Sequence, residues 1–164
     1  MVEMKISSAS NVFFLPRVKE EGVAFTTNGI TRADGSAVCG AGQALEAQKL
    51  FNVEKKLGNY ITQYGNRAFY LGTYAQKKDE EVIREFSLLT FPTKNHWKDK
   101  SDIQLIEKSC HELMDIADKF GLTRVFFAPP GCGLGQLNYN CQVAPVIKSI
   151  LDDRFVVVFR EKVR

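Results

Sequence analysis

Apolar residues along this chain fall into two regimes: short dense runs, and one long stretch in which they recur every three or four positions. β-Branched and aromatic runs occupy residues 12–15, 23–27, 68–74, 84–91, 125–128 and 155–159. Each has the length and composition of a strand. The run Phe155-Val156-Val157-Val158-Phe159 shows no polar alternation, the pattern of a strand covered on both faces. Residues 124–128 share that character.

Between 101 and 120, Ile103, Ile106, Cys110, Leu113, Ala117 and Phe120 recur at spacings of three and four, which lines one face of a helix. Ser101 with Gln104 reads as a capping box at its start, and Gly121 as a left-handed C-cap. Shorter helices are expected over 42–51, with Leu45, Leu50 and Phe51 as apolar members, and over 140–151, with Val143, Val146, Ile147 and Ile150. Pro145 fits the latter only in its opening turn. The polar stretch 75–82 has no room for a helix and reads as a solvated hairpin loop. Strands and helices alternate with that one hairpin inserted, so the expected fold is α/β, a mixed central sheet of about six strands between helices. Ligands of such sheets bind beyond the carboxyl ends of the strands.

Composition narrows the picture without redirecting it. The 164 residues fit one domain, and 45% hydrophobic with 25% charged residues excludes disorder and fibrous repeats. A net charge of +3, from 22 basic and 19 acidic residues, permits an anionic ligand without arguing for a chain that wraps nucleic acid. No apolar run approaches the ~18 residues of a membrane span, and the first ten residues lack the pattern of a secretion signal. A cytoplasmic protein with no membrane partner is the expectation. Cys39, Cys110, Cys132 and Cys141 stand at irregular spacings with no Cys-x-x-Cys pair, so neither a metal site nor a disulfide frame is indicated. No cofactor is called for, and the expected state is a monomer.

Two glycine-rich segments carry the candidate chemistry. The first follows the run 23–27 and holds Thr27, Asn28, Gly29, Gly35, Cys39, Gly40, Ala41 and Gly42 before a helix begins. The second, Pro129-Pro130-Gly131-Cys132-Gly133-Leu134-Gly135-Gln136, also lies between a buried strand and a helix. Glycine lets backbone approach a phosphate closely, and N–H groups at the opening of a helix favour an anion. On the other side, Asp34-Gly35 is equally a surface turn, and Gly40 and Gly42 are equally packing residues between helix and sheet. No Gly-Lys-Ser/Thr follows either segment, which excludes a Walker loop, and the first loop's glycines are too spread for a Rossmann fingerprint.

Thr27-Asn28-Gly29, Gly35 and Cys39-Gly40-Ala41-Gly42-Gln43-Ala44 resemble the first ligand loop of macro domains, the ADP-ribose-binding fold. Phe91-Pro92-Thr93-Lys94-Asn95-His96-Trp97 is similar to a segment of the branch that holds DNA ADP-ribosyl glycohydrolase antitoxins and terminal ADP-ribose glycohydrolases. Residues 129–137 resemble that branch's second phosphate loop. The likeness covers about residues 23–151. It implies an ADP-ribosyl hydrolase acting on ADP-ribosylated DNA or protein, with Lys94 catalytic and Asn28 bonding the distal ribose. Thr27, Gly29, Gly35, Cys39, Gly40, Ala41 and Gly42 would bind ligand together with Pro130, Gly131, Cys132, Gly133, Leu134 and Gly135. Two departures stand out. Ser7, Ser8, Ser10 and Asn11 occupy the early region where members often carry an acid for the adenine amine, and Gly135 stands where some carry an aspartate.

A lysine amine attacks the ribosyl C1'' only when partly neutral, which requires its pKa to fall from about 10.4. A charged Lys94 would instead stabilise the leaving group. On spacing alone, Lys94 reads as one more solvated lysine beside Lys98 and Lys100, and it is the resemblance that reverses this preference. His96 and His111 are further candidate bases, His111 lying off the apolar face of its helix. Cys132 is either an activated thiolate or a small residue in a crowded turn, and Trp97 either caps the pocket or packs on the sheet. A non-catalytic ADP-ribose binder and an ADP-ribose 1''-phosphate phosphatase are the rival functions.

Overall fold

The computed structural model describes residues 1–161. Six strands and four α-helices follow in the order β1 (Val2–Ile6), β2 (Glu21–Thr27), α1 (Gly42–Phe51), α2 (Glu54–Tyr64), β3 (Tyr70–Lys78), β4 (Glu81–Pro92), α3 (Ile103–Phe120), β5 (Arg124–Phe127), α4 (Ala144–Ile150) and β6 (Phe155–Arg160). They build one sheet of order β1-β6-β5-β2-β4-β3, in which only the β3–β4 pair is antiparallel. The mixed six-stranded sheet between helices is therefore present.

The unalternating runs have the expected cause. Val23, Phe25, Phe126, Val156 and Val158 enter a core beneath α1 and α2. Their immediate neighbours Ala24, Val125, Phe127, Phe155 and Val157 enter a second core beneath α3 and α4. Each inner strand thus buries both faces, and polar positions have no place on it. On α3, Ile106, Cys110, Leu113 and Ala117 are buried, and Gly121 closes the helix at φ 63°. Phe120 stays 42% exposed, its ring stacked on Tyr70 at 3.8 Å.

Several elements differ from expectation. Residues 12–15 are not a strand: Val12–Phe14 is a 3-10 turn. Asn11 caps it by accepting a hydrogen bond from Phe13 N at 3.0 Å, and the buried Arg84 guanidinium donates to the carbonyls of Phe13 and Pro16. The sixth strand is instead β1. α2 is an additional helix. The segment 75–82 is mostly strand, because β3 and β4 pair out to Lys78 and Glu81 and turn through Asp79 and Glu80, both at positive φ. The cap of α3 is Asp102, whose Oδ1 accepts from Gln104 N at 2.9 Å, rather than Ser101. α1 buries Ala44 and Ala47 while Leu50 remains 44% exposed. Residues 139–143 form a π turn before α4, and Pro145 sits in the first turn of α4, where its missing N–H costs nothing. Among the described residues no helix is long and apolar enough to cross a membrane.

Candidate functional site

Because β4, β2 and β5 are adjacent and parallel, their carboxyl ends open on one rim of the sheet. Thr27 is paired with Pro92 in register, so the segments starting at Asn28 and Thr93 leave side by side. Thr93 N donates to Thr27 O at 3.2 Å and Gly29 N donates to Asn95 O at 2.9 Å. The third segment leaves β5 at Phe127 and carries the second glycine loop.

The three exits border one cleft of about 840 Å³. Thr27, Asn28, Gly40, Ala41, Gly42, Lys94, Gly131, Gly133, Leu134 and Gly135 all line it. Both glycine loops and the lysine are thus brought together. Gly29, Gly35, Cys39, Pro130 and Cys132 are not among the lining residues. Gly29 is backed by the Asn66 side chain, and Gly35 packs its carbonyl on Gly58 of α2, where an added Cβ would come within 2.0 Å. Cys39 is 1% exposed in the core, and Pro130 is buried. Cys132 packs against the α3/α4 core, and burial pushes its thiol up to about 11. A thiol raised in this way keeps its proton at neutral pH, which favours the reading of Cys132 as a small residue in a crowded turn.

Each loop presents backbone. Ala41, extended at φ −154°, offers no side-chain cap to α1, so the opening turn of α1 borders the cleft with its N–H groups uncapped by any side chain. Gly42 stands there at φ 59°, a conformation a side chain makes costly. An added Cβ at Gly40 would meet nothing within 4 Å, so the glycine does not serve helix–sheet packing. The second loop folds on itself through Leu137 N to Gly131 O at 2.8 Å and Gln136 N to Gly133 O at 3.1 Å. Beneath it lies Ser101, whose backbone N–H donates to Gly135 O at 3.1 Å and whose buried hydroxyl has no partner among the described residues.

Asn28 spends its side chain on the first loop: Nδ2 donates to Val38 O and Oδ1 accepts from Ile30 N, both at 3.0 Å. Lys94 is half-buried, and its Nζ donates to Asp99 O at 3.4 Å, a long bond. Trp97, 48% exposed, lines the cleft rather than packing on the sheet. His96 does not line it; its Nδ1 accepts from Lys98 N, and its ring stacks on Trp97. His111 is exposed on α3.

Sequence reasoning quoted Gln43, Thr93, Pro129 and Gln136 within its motifs without assigning them a role, and it did not place Arg32, Lys98, Asp99 or Ser101 in the lining. Among the described residues, Asp99 is the only acidic one in the lining. Closeness to Lys94 in the chain was the available signal for Asp99 and Lys98. An acid also stands at the early region: Asn11 Nδ2 donates to Glu46 Oε2 of α1 at 2.7 Å.

No family model matches the chain. It is 38% identical over 64 residues to a DNA ADP-ribosyl transferase–DNA ADP-ribosyl glycohydrolase fusion protein of Thermosipho africanus; the match covers 39% of this chain and 16% of that protein. The structure of Thermosipho africanus DarTG in complex with ADP-ribose superposes with a TM-score of 0.70 and 21% identity, over 96% of this chain and 42% of that one. The macrodomain of Thermus aquaticus DarG gives 0.65 and 23%, over 96% and 98%. This chain therefore spans less than half the length of the Thermosipho protein.

Proposed function

We propose that this chain, which has the macrodomain fold, binds ADP-ribose in the cleft between its two glycine loops and hydrolyses ADP-ribosyl linkages on a modified macromolecule. The observation that carries the reading is the placement of residues 40–42, residues 131–135 and Lys94 around one cleft. A diphosphate between the loops would receive N–H donors from the opening turn of α1 and from the second loop. The distal ribose would then extend past Asn28 toward Lys94.

In the hydrolytic step the bond from C1'' to the modified atom breaks, water supplies the hydroxyl that ends on C1'', and the leaving atom takes a proton. Lys94 serves this step in one of two ways. As an ammonium it donates to the leaving group; as an amine it attacks C1'' of the opened ring and forms a Schiff base that water then releases. Cyanoborohydride during turnover separates them, since only the second leaves ADP-ribose covalently on Lys94. With no acid in the second loop, Asp99 is the cleft's own candidate for moving the proton.

The deciding experiment offers ADP-ribosylated DNA and an ADP-ribosylated acidic peptide to the protein and follows free ADP-ribose. Release is expected, with Lys94→Ala slowing it at least ~100-fold while ADP-ribose still binds. Calorimetric binding without turnover of either substrate would replace the hydrolase with a binder.

A further inference from the structure

Three consecutive carbonyls at the exit of β4 are held by three different partners. Ser109 Oγ donates to Pro92 O at 2.7 Å, Asp102 N donates to Thr93 O at 2.8 Å, and the Asn66 side chain donates to Lys94 O at 3.1 Å. The first two partners stand on or next to α3 and fix the strand end. Only the third acts on Lys94 itself, and it comes from the link between α2 and β3.

Asn66 does more than hold one carbonyl. Its Nδ2 also donates to Asn95 Oδ1 at 2.9 Å, and its side chain lies against Gly29, where an added Cβ would stand 2.8 Å from Asn66 Cγ. Gly29 N closes the ring by donating to Asn95 O at 2.9 Å. Residues 29, 66, 94 and 95 thus form a closed set behind the cleft, although Asn66 is not among the residues that line it.

We propose that Asn66 is a positioning residue for Lys94, locking the lysine backbone against the Asn28–Gly29 exit so that the amine is delivered to the ribosyl end of the ligand. The inference rests on the reading that Lys94 acts on an ADP-ribosyl group. A lysine side chain is long and freely rotating, and the bond from Nζ to Asp99 O is too long to fix it. The reach of the amine is therefore set by where its backbone is anchored. Asn66→Asp is the sharp variant: it keeps the shape but faces two acceptors, Lys94 O and Asn95 Oδ1, with a carboxylate that cannot donate.

The test compares the parent chain with Asn66→Asp on an ADP-ribosylated oligonucleotide and an ADP-ribosylated acidic peptide, and follows the Lys94 side-chain NMR signal during ADP-ribose titration. Asn66→Asp is expected to lower kcat at least about tenfold and to abolish the ligand-induced shift of the Lys94 signal. KM and ADP-ribose affinity should stay within about twofold. Unchanged kcat with an unchanged Lys94 shift overturns the proposal, as does a loss of affinity matching the loss of turnover, which would make Asn66 merely structural. A parent that turns over neither substrate overturns the hydrolase reading instead, and the Lys94 shift then decides Asn66: its loss in the variant supports the proposal, its persistence refutes it. Should Asn66→Asp not fold, Asn66→Ala carries the same comparison.

Discussion

The two glycine loops meet at one cleft, and glycine answers opposite demands in them, open space at Gly40, Gly42 and Gly133 and crowding at Gly29, Gly131 and Gly135. In the first, the space around Gly40 is empty, and an added Cβ at Gly42 would reach only Leu134 Cδ1 at 4.0 Å. In the second, a Cβ at Gly135 would lie 2.0 Å from Ser101 Oγ and 2.7 Å from Gly131 O, and one at Gly131 would lie 2.8 Å from Ser101 Cβ. The first loop keeps room at Gly40 and Gly42 for something else; the second has none at Gly131 and Gly135 because the protein already fills it, while Gly133 between them is open. A glycine motif therefore names two physical demands at once, and only the neighbours tell them apart. The same crowding explains why this second loop carries no aspartate at 135, since even its Cβ has no place.

The hardest break in that contrast is Gly135→Ala. Its methyl must displace the serine or the loop backbone, and overpacking of this kind costs about 1–3 kcal/mol. The melting temperature should fall, and ADP-ribose affinity should fall with it because the loop moves. Adding Ser101→Gly removes the nearest clash and should restore part of the melting temperature, the remainder being the contact with Gly131 O. A single variant that melts like the parent would show that the loop is not packed as described.

At Gly40 the expected result is the reverse. Gly40→Val places its side chain in open space at the cleft wall, so the melting temperature should hold while ADP-ribose affinity drops at least ~10-fold, about 1.4 kcal/mol. If binding survives untouched, the ligand does not pass Gly40, and the proposed path between the loops is wrong.

What the sequence disclosed divides along the same line. α3 was legible because one buried face repeats every three to four residues, and the inner strands because both their faces are covered. α2 escaped because its buried positions are Leu57, Gly58 and Ile61, and Gly58 has low helix propensity; it is glycine because the carbonyl of Gly35 presses on it. Residues 12–15 have strand composition, yet they form a turn capped by Asn11, and Arg84, 71 positions from Phe13 in sequence, holds the carbonyls of Phe13 and Pro16. In the site, the glycine loops and Lys94 were visible as residue types suited to a phosphate and a glycosidic carbon. Asn66 and Ser101 were not, because each matters through a partner distant in the chain, Lys94 O for Asn66 and Gly135 O for Ser101; Asp99 had only its closeness to Lys94 in the chain as a signal.

The mildest difference between the loops concerns their cysteines. Cys39 beneath the first and Cys132 within the second are both pushed up to about 11, Cys39 by burial with Glu54 adding to it, and Cys132 by burial alone. A thiol whose folded value lies above its ordinary 9.0 binds its proton more tightly in the folded chain. Its contribution to stability is full below pH 9 and is lost as pH rises toward 11. Stability from this source should be flat between pH 6 and 8 and decline above 9, as chemical denaturation at several pH values would report. Turnover across pH 6–8 should show no thiol ionisation, and Cys132→Ala should leave kcat within about twofold. A large loss in that variant, or rapid alkylation of Cys132 at pH 7, would return a thiolate to the second loop and make the two loops chemically, not only sterically, different.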